Sequence, residues 1–128
     1  HFPNLGALRL PVSAVSRDPA VVRTYIEDPL VHSGAIPART LAELVTNVAT
    51  FRDRAALLRL PVLVLHGTAD ALVRLADAEP VYARIGSADL TVKRYDGLFH
   101  EVFNEPERAQ VFADLETWLD AHVPALAA

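Results

Sequence analysis

Hydrophobic positions recur with two different periods along the chain, and the change falls near Pro61. Upstream the spacing is helical, with loops between. Asp18-Pro19 reads as an N-cap followed by proline at the first helical position, opening a short helix through Val22 and Tyr25. Asp28-Pro29 closes it, because a residue before proline is pushed out of the helical region. From Thr40 onward, Leu41, Leu44, Val45, Val48 and Phe51 fall on one helical face, and Thr40 with Glu43 has capping-box spacing. That stripe fits a core face or a lipid-facing lid surface, of which core is the commoner. Residues 55–60 (AALLRL) make a short apolar link.

Downstream, Val62-Leu63-Val64-Leu65 is a continuous aliphatic run ended by His66-Gly67, the pattern of a strand buried on both faces in a parallel sheet. Residues 76–85 read as a helix, with Pro80 tolerable only near its start and Gly86 as its C-cap. Residues 90–95 (LTVKRY) alternate as a second strand, and the loop DGLFHEVF follows. Asn104 with Glu107 caps a last helix, whose core face is Val111, Phe112, Leu115 and Leu119 with Trp118 beside it. The sum is an α/β chain: a helical segment over 1–60, then a βαβα unit over 61–128. Two strands do not make a stable sheet alone, so the unit requires further strands.

Composition narrows the classes. The chain has 128 residues, 52% hydrophobic and 22% charged, enough apolar material for a core. The net charge is −4 with scattered basic residues, which leaves no stripe for nucleic acid. No apolar run reaches the roughly 18 residues of a membrane-spanning helix, and the N-terminus lacks a signal-peptide layout. Without cysteine there are no disulfides or thiolate metal sites. His32 and His122 have no partners at metal-ligand spacing, so neither metal nor cofactor is expected. The chain contains no methionine and opens on His1, so the expectation is a processed, truncated or partial polypeptide.

In open α/β sheets, catalytic groups collect beyond the C-terminal ends of strands. Asp70 stands there after the first strand, in HGTAD, and His100 after the second, in DGLFHEVF. Parallel neighbours end on the same side, so the two can meet although about 30 residues separate them. An Asp that accepts Nδ1–H of a His fixes its tautomer and leaves Nε2 as a general base. The order Asp then His matches the last two members of a Ser…Asp…His triad. The competing readings are plain: Asp77 and Glu79 as first-turn helix acids, Asp96-Gly97 as a turn, Glu101 as a loop hydrogen-bonding residue and His66 as structural. For His100 the bland alternative is a loop histidine packed on Phe99 and Phe103.

PVLVLHGTADALV, YDGLFHEVFNEPER with its terminal amphipathic helix, and the upstream SRDPAVVRTYIEDPLVHSG together resemble the α/β-hydrolases of the bacterial monoacylglycerol-lipase and lysophospholipase-like family. The resemblance covers roughly residues 13–122; HGxxD with a later His is shared by many hydrolases, whereas HEVFNEPER with RDP…Y…DPLV is narrower. It implies the C-terminal half of that fold: cap or lid helices over 1–60, with about 13–55 covering an acyl tunnel, and the C-terminal part of the core over 61–128. It makes Asp70 the triad acid and His100 the base of a serine ester hydrolase acting on monoacylglycerols or related acyl esters. The chain departs from many relatives in reading Leu72-Val73-Arg74 where they carry proline, which shapes the turn rather than the chemistry.

None of Ser13, Ser16, Ser33 or Ser87 lies in a G-x-S-x-G elbow, so the nucleophile and oxyanion hole are expected in a preceding half of the same fold, and the chain alone is expected to be inactive. The implied setting is cytoplasmic or peripheral to a membrane, with transient contact through the cap. Two alternatives stay open. One is another hydrolase on the same scaffold (thioesterase, peptidase or dehalogenase); the other is a non-catalytic module that binds a partner or lipid.

Overall fold

The structure is a computed structural model and describes residues 3–123. The outermost residues of the two expected segments, 1–2 and 124–128, lie outside the described residues. Two small sheets organise the chain. Strand β1 (Gly6–Leu8) pairs antiparallel with β2 (Ile36–Pro37), and β3 (Val62–Gly67) pairs parallel with β4 (Leu90–Tyr95). Among the described residues there are four α-helices, α1 (Pro19–Glu27), α2 (Ala38–Arg54), α3 (Leu75–Tyr82) and α4 (Arg108–His122), the last following β4.

The β3–β4 register runs without a break from Val62↔Leu90 to Gly67↔Tyr95. Both strands therefore end level, and the loops after them leave the same edge of the sheet. The core of this unit sits under the second loop: Leu98, Val102 and Val111 form a buried cluster, with Leu65 and Tyr95 packed against it. His100 lies midway between the two loop members of that cluster.

Helix α1 begins as its sequence predicts, with the Asp18 carboxylate accepting the Ala20 N–H at 2.8 Å and Pro19 at the first position. The starts of α2 and α4 differ from expectation. Thr40 lies inside α2 rather than capping it, and Glu43 takes an ion pair from Arg39 at 2.6 Å. The reason is that strand pairing has already satisfied the first amides: Ala38 and Arg39 N–H donate to the carbonyls of Leu5 and Pro3. Asn104 does not cap α4, which starts after Glu107, because its side chain donates to Glu101 at 2.7 Å and its carbonyl accepts from Ser16.

Gly86 is no left-handed cap either. Helix α3 ends at Tyr82 with Ala83 as its C-cap, and Gly86 is glycine because a Cβ there would strike the Ala56 carbonyl. Pro80 stands sixth in α3, well past its first turn, and so removes the hydrogen bond to the Ala76 carbonyl. The short β1 and β2 fall where helices and loops were expected. The apolar stripe of α2 is not core among the described residues: Leu44, Val45, Val48 and Phe51 are 50–62% exposed. On α4, Val111 is fully buried, whereas Phe112 and Leu119 keep 44% and 40% of their surface exposed.

Candidate active site

Level strand ends bring the two chemistry-bearing loops together. After β3 the chain turns through Thr68 and Ala69, whose N–H groups donate to the carbonyls of Tyr95 and Leu98. Gly67 permits this approach, since a Cβ there would overlap the carbonyls of Leu98 and Phe99. After β4 the turn at Asp96-Gly97 places Gly97 at φ +73°, a conformation that glycine adopts without strain. The Thr68 hydroxyl locks both loops by donating to Asp96 at 3.2 Å and accepting the Gly97 N–H at 2.9 Å.

Asp70 and His100 meet in this arrangement. His100 Nδ1 lies 2.8 Å from Asp70 Oδ2. The other carboxylate oxygen, Oδ1, accepts the N–H groups of Leu72 and Val73 at 2.8 and 2.9 Å. The Asp70 side chain is 4% exposed and that of His100 40%. Burial pushes the Asp70 carboxyl upward, but the hydrogen bonds from Val73, His100 and Leu72 outweigh it, so the group is held below the usual carboxylate range. A carboxylate fixed by two amides can only receive a proton donor on its free oxygen. His100 Nδ1 therefore carries the hydrogen, and in the neutral ring Nε2 is the nitrogen with the free lone pair.

Behind Asp70 lies a buried support that the sequence marked only as a structural histidine. His66 is 6% exposed; its Nε2 lies 2.9 Å from the Val73 carbonyl and its Nδ1 2.6 Å from the Tyr82 hydroxyl. A carbonyl can only accept, so Nε2 carries the hydrogen and Nδ1 accepts from Tyr82. Burial, reinforced by the Asp70 charge, raises the Tyr82 pKa and keeps that hydroxyl a donor. The peptide unit anchored by His66 thus belongs to the turn whose amides hold Asp70.

The rival acids are engaged elsewhere: Asp77 with Arg74 at 2.7 Å, Glu79 with Arg94 at 2.8 Å, and Asp96 with Thr68. Glu101 accepts from Asn104, as a loop hydrogen-bonding residue would. Phe103 packs on Phe112, with ring centroids 5.1 Å apart. His32 lies near the Ala35 carbonyl, and His122 bonds Asp89 at 2.9 Å. Sequence reasoning missed Arg17 and Glu105, whose ion pair, buried on the Glu105 side, lies beside the His100 loop. The only hint was that both stand in the two narrowest stretches, SRDP and HEVFNEPER.

Beside the dyad lies a cavity of about 520 Å³, walled by Val15, Tyr25, Ile36, Leu44 and Leu72 among others. Leu72 belongs to the Asp70 turn, and the Val15 carbonyl accepts the N–H of Glu101, the residue after His100. The chamber is mainly apolar, as a site for a hydrocarbon chain must be.

The family described as Hydrolase_4, serine aminopeptidase S33, matches residues 1–107. The chain belongs to this family. As a Hydrolase_4 member it is 41% identical over 121 residues to the monoacylglycerol lipase of Mycolicibacterium smegmatis, a match that covers 94% of this chain and 43% of that protein. It is 31% identical to the monoglyceride lipase of Mus musculus over 132 residues, covering 99% of this chain and 43% of the relative. The crystal structure of the Paleococcus ferrophilus monoacylglycerol lipase superposes with a TM-score of 0.75 at 28% identity, over 88% of this chain and 44% of the other. A soluble Saccharomyces cerevisiae monoglyceride lipase variant, solved with a substrate analog, gives a TM-score of 0.80 over 93% of this chain and 42% of the other; at 22% identity it speaks for the fold alone. The fold is that of a portion of an α/β-hydrolase, and the chain spans under half the length of the relatives it matches.

Proposed function

We propose that this chain is the C-terminal portion of a serine ester hydrolase that cleaves monoacylglycerols or related acyl esters. Asp70 is its triad acid and His100 its general base. The observation that carries this reading is the 2.8 Å contact between Asp70 and His100 Nδ1, made by a carboxylate whose other oxygen is already filled. It also weighs against a non-catalytic module, which needs no such fixed tautomer.

In the complete enzyme, a serine from outside this chain attacks the acyl carbonyl while His100 Nε2 takes its proton. The imidazolium so formed faces Asp70, which is ionised and buried and therefore stabilises it strongly. His100 then returns the proton to the departing glycerol oxygen. Water, deprotonated by the same nitrogen, releases the acyl group from the serine. This chain supplies two of the three triad members and is inactive alone.

Residues 1–60 act as the cap and 61–128 as the C-terminal part of the core. The apolar cavity under α2 takes the acyl chain. The exposed Val45, Val48 and Phe51 on α2 give the cap a face for brief contact with a membrane surface. The setting we propose is cytoplasmic or peripheral to a membrane; among the described residues no helix is long and apolar enough to cross one.

A second reading, peptide hydrolysis by the same dyad, is favoured by the description of the matching family as an aminopeptidase. The complete enzyme, labelled with a fluorophosphonate and then assayed on a monoacylglycerol and an aminoacyl anilide, separates them. Labelling at one serine with ester turnover supports the lipase reading. Anilide turnover alone replaces it with the peptidase, and failure to label removes both.

A further inference from the structure

Among the described residues His100 has one side-chain anchor, Asp70, and it is 40% exposed, so its position depends on how its backbone is held on either side. On the near side the Leu98 carbonyl is bound by Ala69, and Leu98 is buried in the core. On the far side the holding is polar. The Glu101 N–H donates to the Val15 carbonyl at 2.8 Å, and the Ser16 hydroxyl donates to the Asn104 carbonyl at 2.9 Å. Arg17 then grips Glu105 twice, from its backbone N–H to Oε1 at 2.8 Å and from Nε to Oε2 at 2.5 Å. The outer guanidinium nitrogen of Arg17 reaches Glu107 as well.

Glu105 is fully buried. An apolar side chain of similar volume would fill that space without desolvating a charge, so packing does not explain a carboxylate there. What the pair adds is geometry: a carboxylate held on one oxygen by a backbone N–H and on the other by the guanidinium of the same residue admits few relative positions. Residues 15–17 lead directly into α1, whose N-cap is Asp18, and Asp18 N–H is itself bound to the Ser16 hydroxyl at 3.0 Å. The clasp therefore links the start of the helical segment to the loop that carries the base.

We infer that Arg17 and Glu105 are positioning residues for His100, setting through the 101–105 backbone the distance between His100 and Asp70. This rests on the reading of His100 as the general base. The test uses the complete enzyme with Glu105→Gln, Arg17→Lys and Glu107→Gln. Two readouts are taken: kcat and KM on a soluble ester, and the downfield NMR resonance of the His100 Nδ1 proton, assigned by its loss in Asp70→Asn.

Glu105→Gln should lower kcat about ten- to a hundredfold with KM within about twofold, as expected for a misplaced reacting group. It should also broaden or shift the resonance. Arg17→Lys, which keeps the charge and the backbone donor, should recover part of both, and Glu107→Gln should change neither. Variants that melt lower yet keep wild-type kcat and resonance would reduce the clasp to a stabilising contact and overturn the inference. If Glu105→Gln fails to fold, Ser16→Ala removes the hydroxyl's bonds to the Asn104 carbonyl and the Asp18 N–H, and an unmoved resonance in both it and Arg17→Lys has the same force. A wild-type enzyme inert toward esters would sink the proposed function, while the resonance would still decide the clasp.

Discussion

Replacing Asp70 by asparagine exchanges one carboxylate oxygen for an amide NH₂, and the surrounding turn decides which one. The Leu72 and Val73 N–H groups both point at Oδ1. If the new NH₂ faced them, two part-buried donors would lose their acceptor, at up to about 1–3 kcal/mol each where water does not replace it. Rotating the amide so that its oxygen stays on those donors avoids that cost and directs the NH₂ at His100. The imidazole must then accept at Nδ1 and carry its proton on Nε2, the nitrogen that should take a proton from the nucleophile. Little in the fold changes and the tautomer is wrong. In the template triad such a change costs about 10⁴ in kcat, or about 5.5 kcal/mol of barrier at about 1.36 kcal/mol per decade. The assay is steady-state hydrolysis of a monoacylglycerol by the complete enzyme, with fluorophosphonate labelling followed alongside. Both rates should fall together while KM stays near wild type. Turnover within about tenfold of wild type would refute the assignment, because His100 would then be oriented by some other group.

Three further outcomes follow from the geometry. Gly67→Ala drives a Cβ into the carbonyls of Leu98 and Phe99, so the His100 loop must move; urea unfolding should show a loss of about 1–3 kcal/mol together with reduced turnover. Tyr82→Phe leaves buried His66 Nδ1 without its donor and should destabilise the fold by about 1–3 kcal/mol in the same assay, while an unchanged midpoint would mean that solvent replaces the hydroxyl. The pKa of His122 is raised by the Trp118 carbonyl and by Asp89, so its contribution is complete below the ordinary histidine value of about 6.5 and is lost as pH rises through the raised one. His122→Gln should therefore lower Tm more at about pH 5.5 than at about pH 8.5; equal losses at both would show that the proton plays no part.

The parts of this fold visible in the sequence were those whose signal is local. The run Val62–Leu65 and the alternation of residues 90–95 each extend far enough to announce a strand, and both strands form. Asp70 and His100 were singled out because strand ends are where side chains of this kind converge, and they lie within hydrogen-bond reach. What escaped notice depended on partners distant in sequence. Strands of three and two residues carry no period. Thr40 and Asn104 have capping chemistry, but the amides of α2 are met by Leu5 and Pro3, and Asn104 is occupied by Glu101 and Ser16. Glu105 carries no local signal of its partner, because Arg17 comes to it from 88 residues away.

That separation bears on the order in which the molecule assembles. Pairing Val62 with Leu90 closes a loop of 28 residues, whereas joining Arg17 to Glu105 closes one of 88. The longer closure costs about 1 kcal/mol more in chain entropy, and its reward is a few polar bonds rather than a buried apolar surface. The parallel strand pair therefore tends to form first, with Asp70 and His100 roughly in place, and the clasp closes onto it late. A folding intermediate of this kind would hold an unfinished dyad, and the last contacts made on the way to the native state would be the ones that set its geometry.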